Sequence, residues 1–291
     1  MKLTLLGTGC PEPSLRRASS GYLIEIEGER LLFDVGGGVY DRLLQAGVMP
    51  TEIDRLFLSH LHSDHMIDYP RLVHAQWDAG KGLLGSAPME VRGPAPLAEI
   101  HERFFGPKGA LAFDLEARRS FQGSQEVWID RGGDLPRPFP VVALEEIDPS
   151  FEMETEHWRL RACHVPHADP FLTCLGFRLD ALAPGGPSVV YSGDAGLCAS
   201  LESLSEGADV LIHWCYRLSH ETRYESIARL SPHAGEIGAM AERAGVKHLI
   251  LTHLRAHMDA SEALHEQMLA EARAAFSGTV EIAEDGRSLT L

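Results

Sequence analysis

The chain has 291 residues of ordinary globular composition, 44% hydrophobic and 23% charged, which excludes disordered, collagen-like and low-complexity architectures. Its 26 basic and 42 acidic residues give a net charge of −16, and its densest basic spots are only the pairs Arg16-Arg17 and Arg118-Arg119, so broad binding to a phosphate backbone is disfavoured. The five cysteines form no Cys-x-x-Cys pair and no apolar run approaches the ~18 residues of a membrane span, which reads as reduced thiols in a cytoplasmic protein with no membrane partner.

In chain order, Lys2-Leu6 reads as a strand running into a Gly-Thr-Gly turn, and Tyr22-Glu27 and Arg30-Asp34 form a hairpin across Gly28-Glu29. Gly36-Gly37-Gly38 opens a helix over Val39-Ala46 that closes at Gly47. Ile53-Leu58 is a buried strand, Pro70-Trp77 a helix, Met89-Arg92 a strand and Pro96-Phe105 a helix. Residues 106–140, interrupted by glycines and by Pro136, Pro138 and Pro140, show no clear pattern and read as a lid or insertion. Strands return at Val141-Ile147, Trp158-Val165, Leu175-Asp180, Ser188-Ser192 and Val210-His213. A helix from Pro232 or His233 to Ala244, a strand Lys247-Thr252, a helix Ser261-Ala275 and a strand Thr279-Ala283 complete the chain. Two batches of strands, each followed by helices, predict two sheets packed face to face with helices outside, as one four-layer domain over 1–291.

The chemistry concentrates in Ser59-His60-Leu61-His62-Ser63-Asp64-His65. His60 and His62 are two apart just beyond a strand, so both imidazoles reach the same side and can address one metal. Asp64 and His65 follow where the chain turns and can address a second ion beside it. Imidazole and carboxylate donors suit zinc or a similar divalent ion, and an accidental polar loop with three histidines and an aspartate is a poor alternative.

These residues match the HxHxDH motif, and the chain resembles the metallo-β-lactamase superfamily from end to end. The resemblance also rests on Leu6-Gly7-Thr8-Gly9 with Pro11, Pro13, Arg16 and Ser19-Ser20, on Phe33-Asp34-Val35-Gly36, Gly93-Pro94, Tyr191-Ser192-Gly193-Asp194 and Leu251-Thr252-His253. The branch it looks like contains ribonuclease Z and arylsulfatase-like and phosphodiesterase-like hydrolases. The resemblance implies an αββα sandwich with a dinuclear site at one edge, two divalent ions per chain (zinc expected, manganese or iron also suited) and a hydroxide held by both ions as nucleophile. It implies that Asp194 bridges both metals and that His253 is the last ligand. The third histidine of the first metal is assigned by distance from Gly176-Phe177-Arg178: His167 fits the family spacing, and His164 is then a supporting residue, with the swapped assignment left open. One ion is thus expected on His60, His62 and His167, the other on Asp64, His65 and His253, with Asp194 shared. Asp64 is expected to hold the attacking water as well. His233, in Pro232-His233-Ala234, is the expected general acid, with a helix-capping residue as the plain alternative. Asp34 and His213 are expected to support the site from behind.

Three features weigh against a tRNA substrate. His213 stands in or near the place where ribonuclease Z carries a glutamate, His253 is followed by Leu254-Arg255-Ala256-His257, and in 106–140 five positive charges (Lys108, Arg118, Arg119, Arg131, Arg137) are cancelled by five negative ones (Asp114, Glu116, Glu126, Asp130, Asp134). The expected substrate is therefore a small-molecule phosphodiester or sulfate ester, with nucleic acid disfavoured though not excluded. Arg16, Trp77, Arg255 and His257 are candidate substrate contacts by position, each of them equally readable as an ordinary surface or core residue, and a homodimer is possible. The alternatives are a ribonuclease Z-type tRNA 3′-end endonuclease, a lactonase or thioesterase, and a non-catalytic metal-binding sensor.

Overall fold

The computed structural model describes residues 1–221 and 224–291, apart from the side chain of residue 229. Fourteen strands are arranged among these residues in two seven-stranded sheets. The first half of the chain supplies β1 (Lys2–Gly7), β2 (Gly21–Ile26), β3 (Glu29–Phe33), β4 (Arg55–Phe57), β5 (Glu90–Gly93) and β6 (Ala143–Glu146). The second half supplies β7 (Glu152–Glu154), β8 (Trp158–His164), β9 (Leu175–Ala181), β10 (Ser188–Tyr191), β11 (Val210–Trp214), β12 (His248–Thr252), β13 (Thr279–Ile282) and β14 (Ser288–Thr290). The sheet orders are β14-β1-β2-β3-β4-β5-β6 and β13-β12-β11-β10-β9-β8-β7, so the last strand crosses back to the first sheet.

Both sheets are half antiparallel and half parallel. Hairpins join β1, β2 and β3, whereas β3 to β6 run parallel through helical crossovers. Likewise β7 to β10 are antiparallel and β10 to β13 parallel. Parallel neighbours need long crossovers, and those helices cover the outer faces. Helices Val39–Gln45, Tyr69–Asp78 and Leu97–Phe105 bury the first sheet, and helices Ala234–Arg243 and Glu262–Arg273 bury the second. The protein has the metallo-β-lactamase fold, an αββα sandwich. Alternation divides the strands as the pleat requires: in β11, Val210 and Ile212 enter the cluster shared by the two sheets and Leu211 enters the helix-facing one. Phe57 of β4 and Phe177 of β9 meet across the sheets at 6.1 Å between ring centroids, with Phe33 beside both.

The boundaries read from sequence differ from these by one to two residues at most ends. Segment 106–140 contains two helices, Ala112–Ser120 and Gln122–Asp130, whose apolar periodicity is masked by the surrounding glycines and prolines. Trp128 of this pair is buried, and Arg137 lies between it and Trp77, 4.8 Å and 3.7 Å from the two rings, so the segment is fastened to the first sheet's helices. Strands β7 and β14 and several short helices carry too few residues to announce themselves by pattern.

Candidate metal centre

Strand ends deliver the site. Beyond the carboxyl ends of parallel strands the ladder stops and loops approach one another, the common location of α/β sites. β3 leads directly to Asp34, β4 to Ser59–His65, β10 to Asp194, and β12 to His253, while β8 is followed by Val165-Pro166-His167. The loops lie close enough that two glycines are required. A Cβ on Gly36 would stand 2.0 Å from the Asp64 carbonyl oxygen, and Gly193, at φ 57°, sits against the Leu175 carbonyl. Asp34 and His253 also adopt left-handed backbone, φ 58° and 62°, a conformation that non-glycine residues hold only where surrounding structure enforces it.

Two donor sets form. His60, His62, His167 and Asp194 offer one ligand atom each, mutually within 4.8 Å, and Asp64, His65, Asp194 and His253 do the same, with Asp194 in both. Within the first, His60 Nε2 and His62 Nδ1 are 3.0 Å apart and His167 Nε2 is 3.3 Å from His62 Nδ1. Within the second, His253 Nε2 lies 3.1 Å from Asp64 Oδ2 and 3.2 Å from Asp194 Oδ2. Asp34 is the fixed point behind them. It is fully buried and accepts from the Ser59 amide (2.7 Å), Ser59 Oγ (2.7 Å), His65 Nδ1 (2.7 Å) and Tyr191 Oη (2.6 Å). The carboxylate thereby orients the His65 ring and anchors the histidine loop to β10.

The donor chemistry fits divalent cations. His65 donates through Nδ1 to Asp34, which leaves Nε2 as its ligand atom, buried and without a hydrogen-bond partner among the described residues. Nε2 faces Asp194 Oδ1 at 3.4 Å and Asp64 Oδ2 at 3.6 Å, and against the opposing effect of burial Asp194 and Asp34 raise the imidazole well above its ordinary range, so the position calls for positive charge, a cation or else a proton. Burial lowers the His60 and His167 imidazoles below their ordinary range, which keeps them neutral as metal ligands must be. Burial opposes ionisation of Asp194, yet His253 and His65 hold its carboxyl well below the usual range.

The other expected residues are distributed unevenly. His164 joins neither set: its side chain is 46% exposed and pairs with Asp169 at 3.2 Å. His213 is buried on the helix-facing side of β11, its Nδ1 donating to the Trp214 carbonyl at 2.8 Å, and burial pushes its imidazole down to about 4. The next residue, Trp214, turns the other way and lies at the site, its ring 5.0 Å from that of His167 and 5.8 Å from that of His253. Strand alternation is the signal that could have found it: neighbours on one strand face opposite sides. His233 caps helix Ala234–Arg243. Its Nδ1 accepts the Gly235 amide at 3.1 Å, which leaves the ring proton on Nε2, and its own amide donates to Glu236 at 3.0 Å. Trp77 is no substrate contact: it is buried in the core and donates to the Pro138 carbonyl at 2.9 Å. Arg16 reaches the Asp259 carbonyl at 3.1 Å and His257 pairs with Glu221 at 2.8 Å, whereas Arg255 lies over the Tyr216 ring at 5.0 Å.

The profile of the metallo-beta-lactamase superfamily matches residues 15–231. The chain belongs to this superfamily. Its superfamily relatives include a protein named ribonuclease Z from Mycobacterium sp. (strain KMS), 31% identical over 258 residues that cover 87% of this chain and 84% of that one. Another, from Mycolicibacterium gilvum (strain PYR-GCK), is 31% identical over 290 residues, 98% of this chain and 94% of that one. Among solved superfamily structures, the metallo-beta-lactamase fold protein YhfI from Bacillus subtilis aligns with a TM-score of 0.71 and 24% identity over 99% of this chain and 98% of that one. The short form of human tRNase Z aligns with a TM-score of 0.67 and 21% identity over 100% and 99%. Superfamily members are metal-dependent hydrolases, commonly with two divalent ions, and the two donor sets accord with that class. The relatives overturn the expectation of a small-molecule ester partner with nucleic acid disfavoured, since the sequence relatives that match most of the chain are named ribonuclease Z, and none supports a sulfate ester. The physical reason is screening: at physiological ionic strength charges are felt over about 8 Å, so a net charge summed over the whole surface does not report the field at one edge.

Proposed function

We propose that the protein is a ribonuclease Z-type phosphodiesterase that hydrolyses RNA, with precursor tRNA carrying a 3′ extension as the substrate to test. What carries this reading is the near full-length similarity to proteins named ribonuclease Z, joined to a double donor set that suits phosphodiester hydrolysis. In this reading His60, His62 and His167 hold one divalent ion, Asp64, His65 and His253 hold the other, and Asp194 is shared between them. When bound, such ions lower the pKa of a water and offset charge on the attacked phosphorus.

The chain's own groups perform the rest. Asp64 Oδ2, 3.1 Å from His253 Nε2, is placed to accept a hydrogen bond from the attacking water. Asp34 accepts from His65 Nδ1 and fixes the ring, so Nε2 is the atom turned toward the second ion. His233 carries its proton on Nε2 because Nδ1 is committed to the helix cap, and that proton is the one given to the departing ribose oxygen. Arg255 adds positive charge beside an otherwise acidic site.

The test is cleavage of a precursor tRNA by zinc- or manganese-loaded protein, with the product ends mapped and Asp194→Ala as the control lacking metal. A single cut at the base of the 3′ extension is expected. Turnover of bis(p-nitrophenyl) phosphate with the precursor left intact would overturn the RNA reading.

A further inference from the structure

Beside the metal donors stands a run of aromatic rings that the hydrolytic chemistry does not use. Trp214 lies between His167 and His253 as described, Tyr216 follows at 5.5 Å from Trp214 and 6.5 Å from His253, and the Arg255 guanidinium sits 5.0 Å above the Tyr216 ring. The register explains the run. Trp214 ends β11 and shares a face with Tyr216 two residues on, while Arg255 follows His253 by two beyond the adjacent β12.

This ladder is not ordinary core. Tyr216 and Arg255 are both partly exposed, and neither belongs to a hydrophobic cluster. Arg255 is loosely held, 3.7 Å from Glu12 and 3.6 Å from Glu221, distances beyond hydrogen-bond reach. Its Nε is shielded from solvent and has no hydrogen-bond partner among the described residues. The same is true of the Trp214 indole nitrogen, although Trp214 is only 4% exposed. Buried donors without acceptors are uncommon and cost free energy. The partly exposed Tyr216 ring and Arg255 guanidinium, next to a candidate hydrolytic centre, suit a ligand that brings acceptor oxygens together with a flat π-face.

We infer that Tyr216 and Arg255 form a stacking shelf for the nucleobase flanking the cleaved phosphodiester, with the outer N–H groups of the Arg255 guanidinium donating to its phosphate oxygens. The inference rests on the RNA-processing reading above and names the positioning residues for it. A shelf of this kind tolerates any base, because every base has a π-face, and it aligns the single-stranded end of an RNA with the donor sets.

The test uses full-length, metal-loaded protein and two acceptor-stem minihelix RNAs with a 3′ single-stranded extension, one intact and one abasic at the nucleotide flanking the cut. Affinity is read by fluorescence anisotropy and cleavage by KM and kcat. In the parent, removing the base should weaken affinity and raise KM by about 5- to 100-fold with a smaller change in kcat. In Tyr216→Leu, which keeps apolar bulk but no ring, the two RNAs should bind within about twofold of each other, whereas Tyr216→Phe should keep the parent's preference. Arg255→Ala should weaken both RNAs and reduce the salt dependence of binding. A parent indifferent to the missing base, or a Tyr216→Leu variant that still prefers the intact RNA by the parent's factor, overturns the shelf while leaving RNA cleavage standing. A parent that cuts neither RNA overturns the RNA-processing reading and the shelf with it. The parent comparison needs no variant to fold.

Discussion

Asp34 carries more of the site's geometry than any of the donors it positions. Four buried donors converge on one carboxylate, so removing it strands the Ser59 amide and hydroxyl, His65 Nδ1 and Tyr191 Oη together. At about 1–3 kcal/mol for each buried group left unpaired, Asp34→Ala should cost about 3 kcal/mol or more and release metal, as checked by denaturant unfolding and elemental analysis. The two histidines of Cys163-His164-Val165-Pro166-His167 separate cleanly in space. His167→Ala should lower metal content, and His164→Ala, changing an exposed partner of Asp169, should leave stoichiometry intact with a modest effect on rate. Elemental analysis giving the opposite pattern would reassign the ligand. For His233, replacement by alanine should lower kcat by about 10²–10⁴ while metals stay bound, with a smaller loss on p-nitrophenyl esters, whose leaving group needs little protonation. Equal losses on both substrate types would mean that capping helix Ala234–Arg243 is its whole contribution.

At the scale of elements, the site's floor is held by contacts distant in sequence. Arg17, nearly buried, donates through Nε to Asp259 at 2.7 Å and through Nη1 to Thr8 Oγ1 at 2.6 Å and to the Ala283 carbonyl. This one side chain ties the loop after β1 to the short helix Ala256–Asp259 and to the end of β13. The Asp285 carboxylate repeats the theme, accepting from the amides of Thr8 and Ala18 and from Arg42. Asp259→Ala leaves a guanidinium buried without its counter-charge, so it should destabilise the protein by about 3–5 kcal/mol. Because the same loops border the donor sets, metal affinity should fall in parallel. A thermal melt within a degree or two of the parent would show that solvent reaches Arg17 and supplies the missing partner.

For the molecule as a whole, the two sheets meet through a large apolar layer, and the site occupies one edge where that layer gives way to charge. Asp64 and Asp194 face each other across the second donor set without internal neutralisation beyond the histidines. Bound cations therefore stabilise the native state over the unfolded chain. Ligand at about a thousand times its dissociation constant contributes about 4 kcal/mol, so chelation should lower Tm by about 10 °C and restored metal should return it. An unchanged Tm, measured with elemental analysis confirming removal, would mean that the donor sets hold no stabilising ion.

The sequence by itself determined the layers and the edge that carries the chemistry. Alternation set the strands, Gly-rich turns ended them, and the spacing of His60, His62, Asp64 and His65 declared a metal-binding loop, because these signals are local and repeat with the period of the backbone. Only the tertiary structure decided which distant side chains share that edge. It brought His167 to the donors and left His164 in solvent, although only Val165 and Pro166 separate them. It turned His213 toward the helices and Trp214 toward the site, since adjacent positions on a strand face opposite ways and the choice depends on which face the sheet buries. It buried Trp77 in the core, and it made Arg255 a neighbour of Tyr216. Net charge, a property of the whole chain, misdirected the substrate reading for the same reason. The field at one sheet edge is set by nearby residues, which β11 and β12 deliver there from separate parts of the sequence.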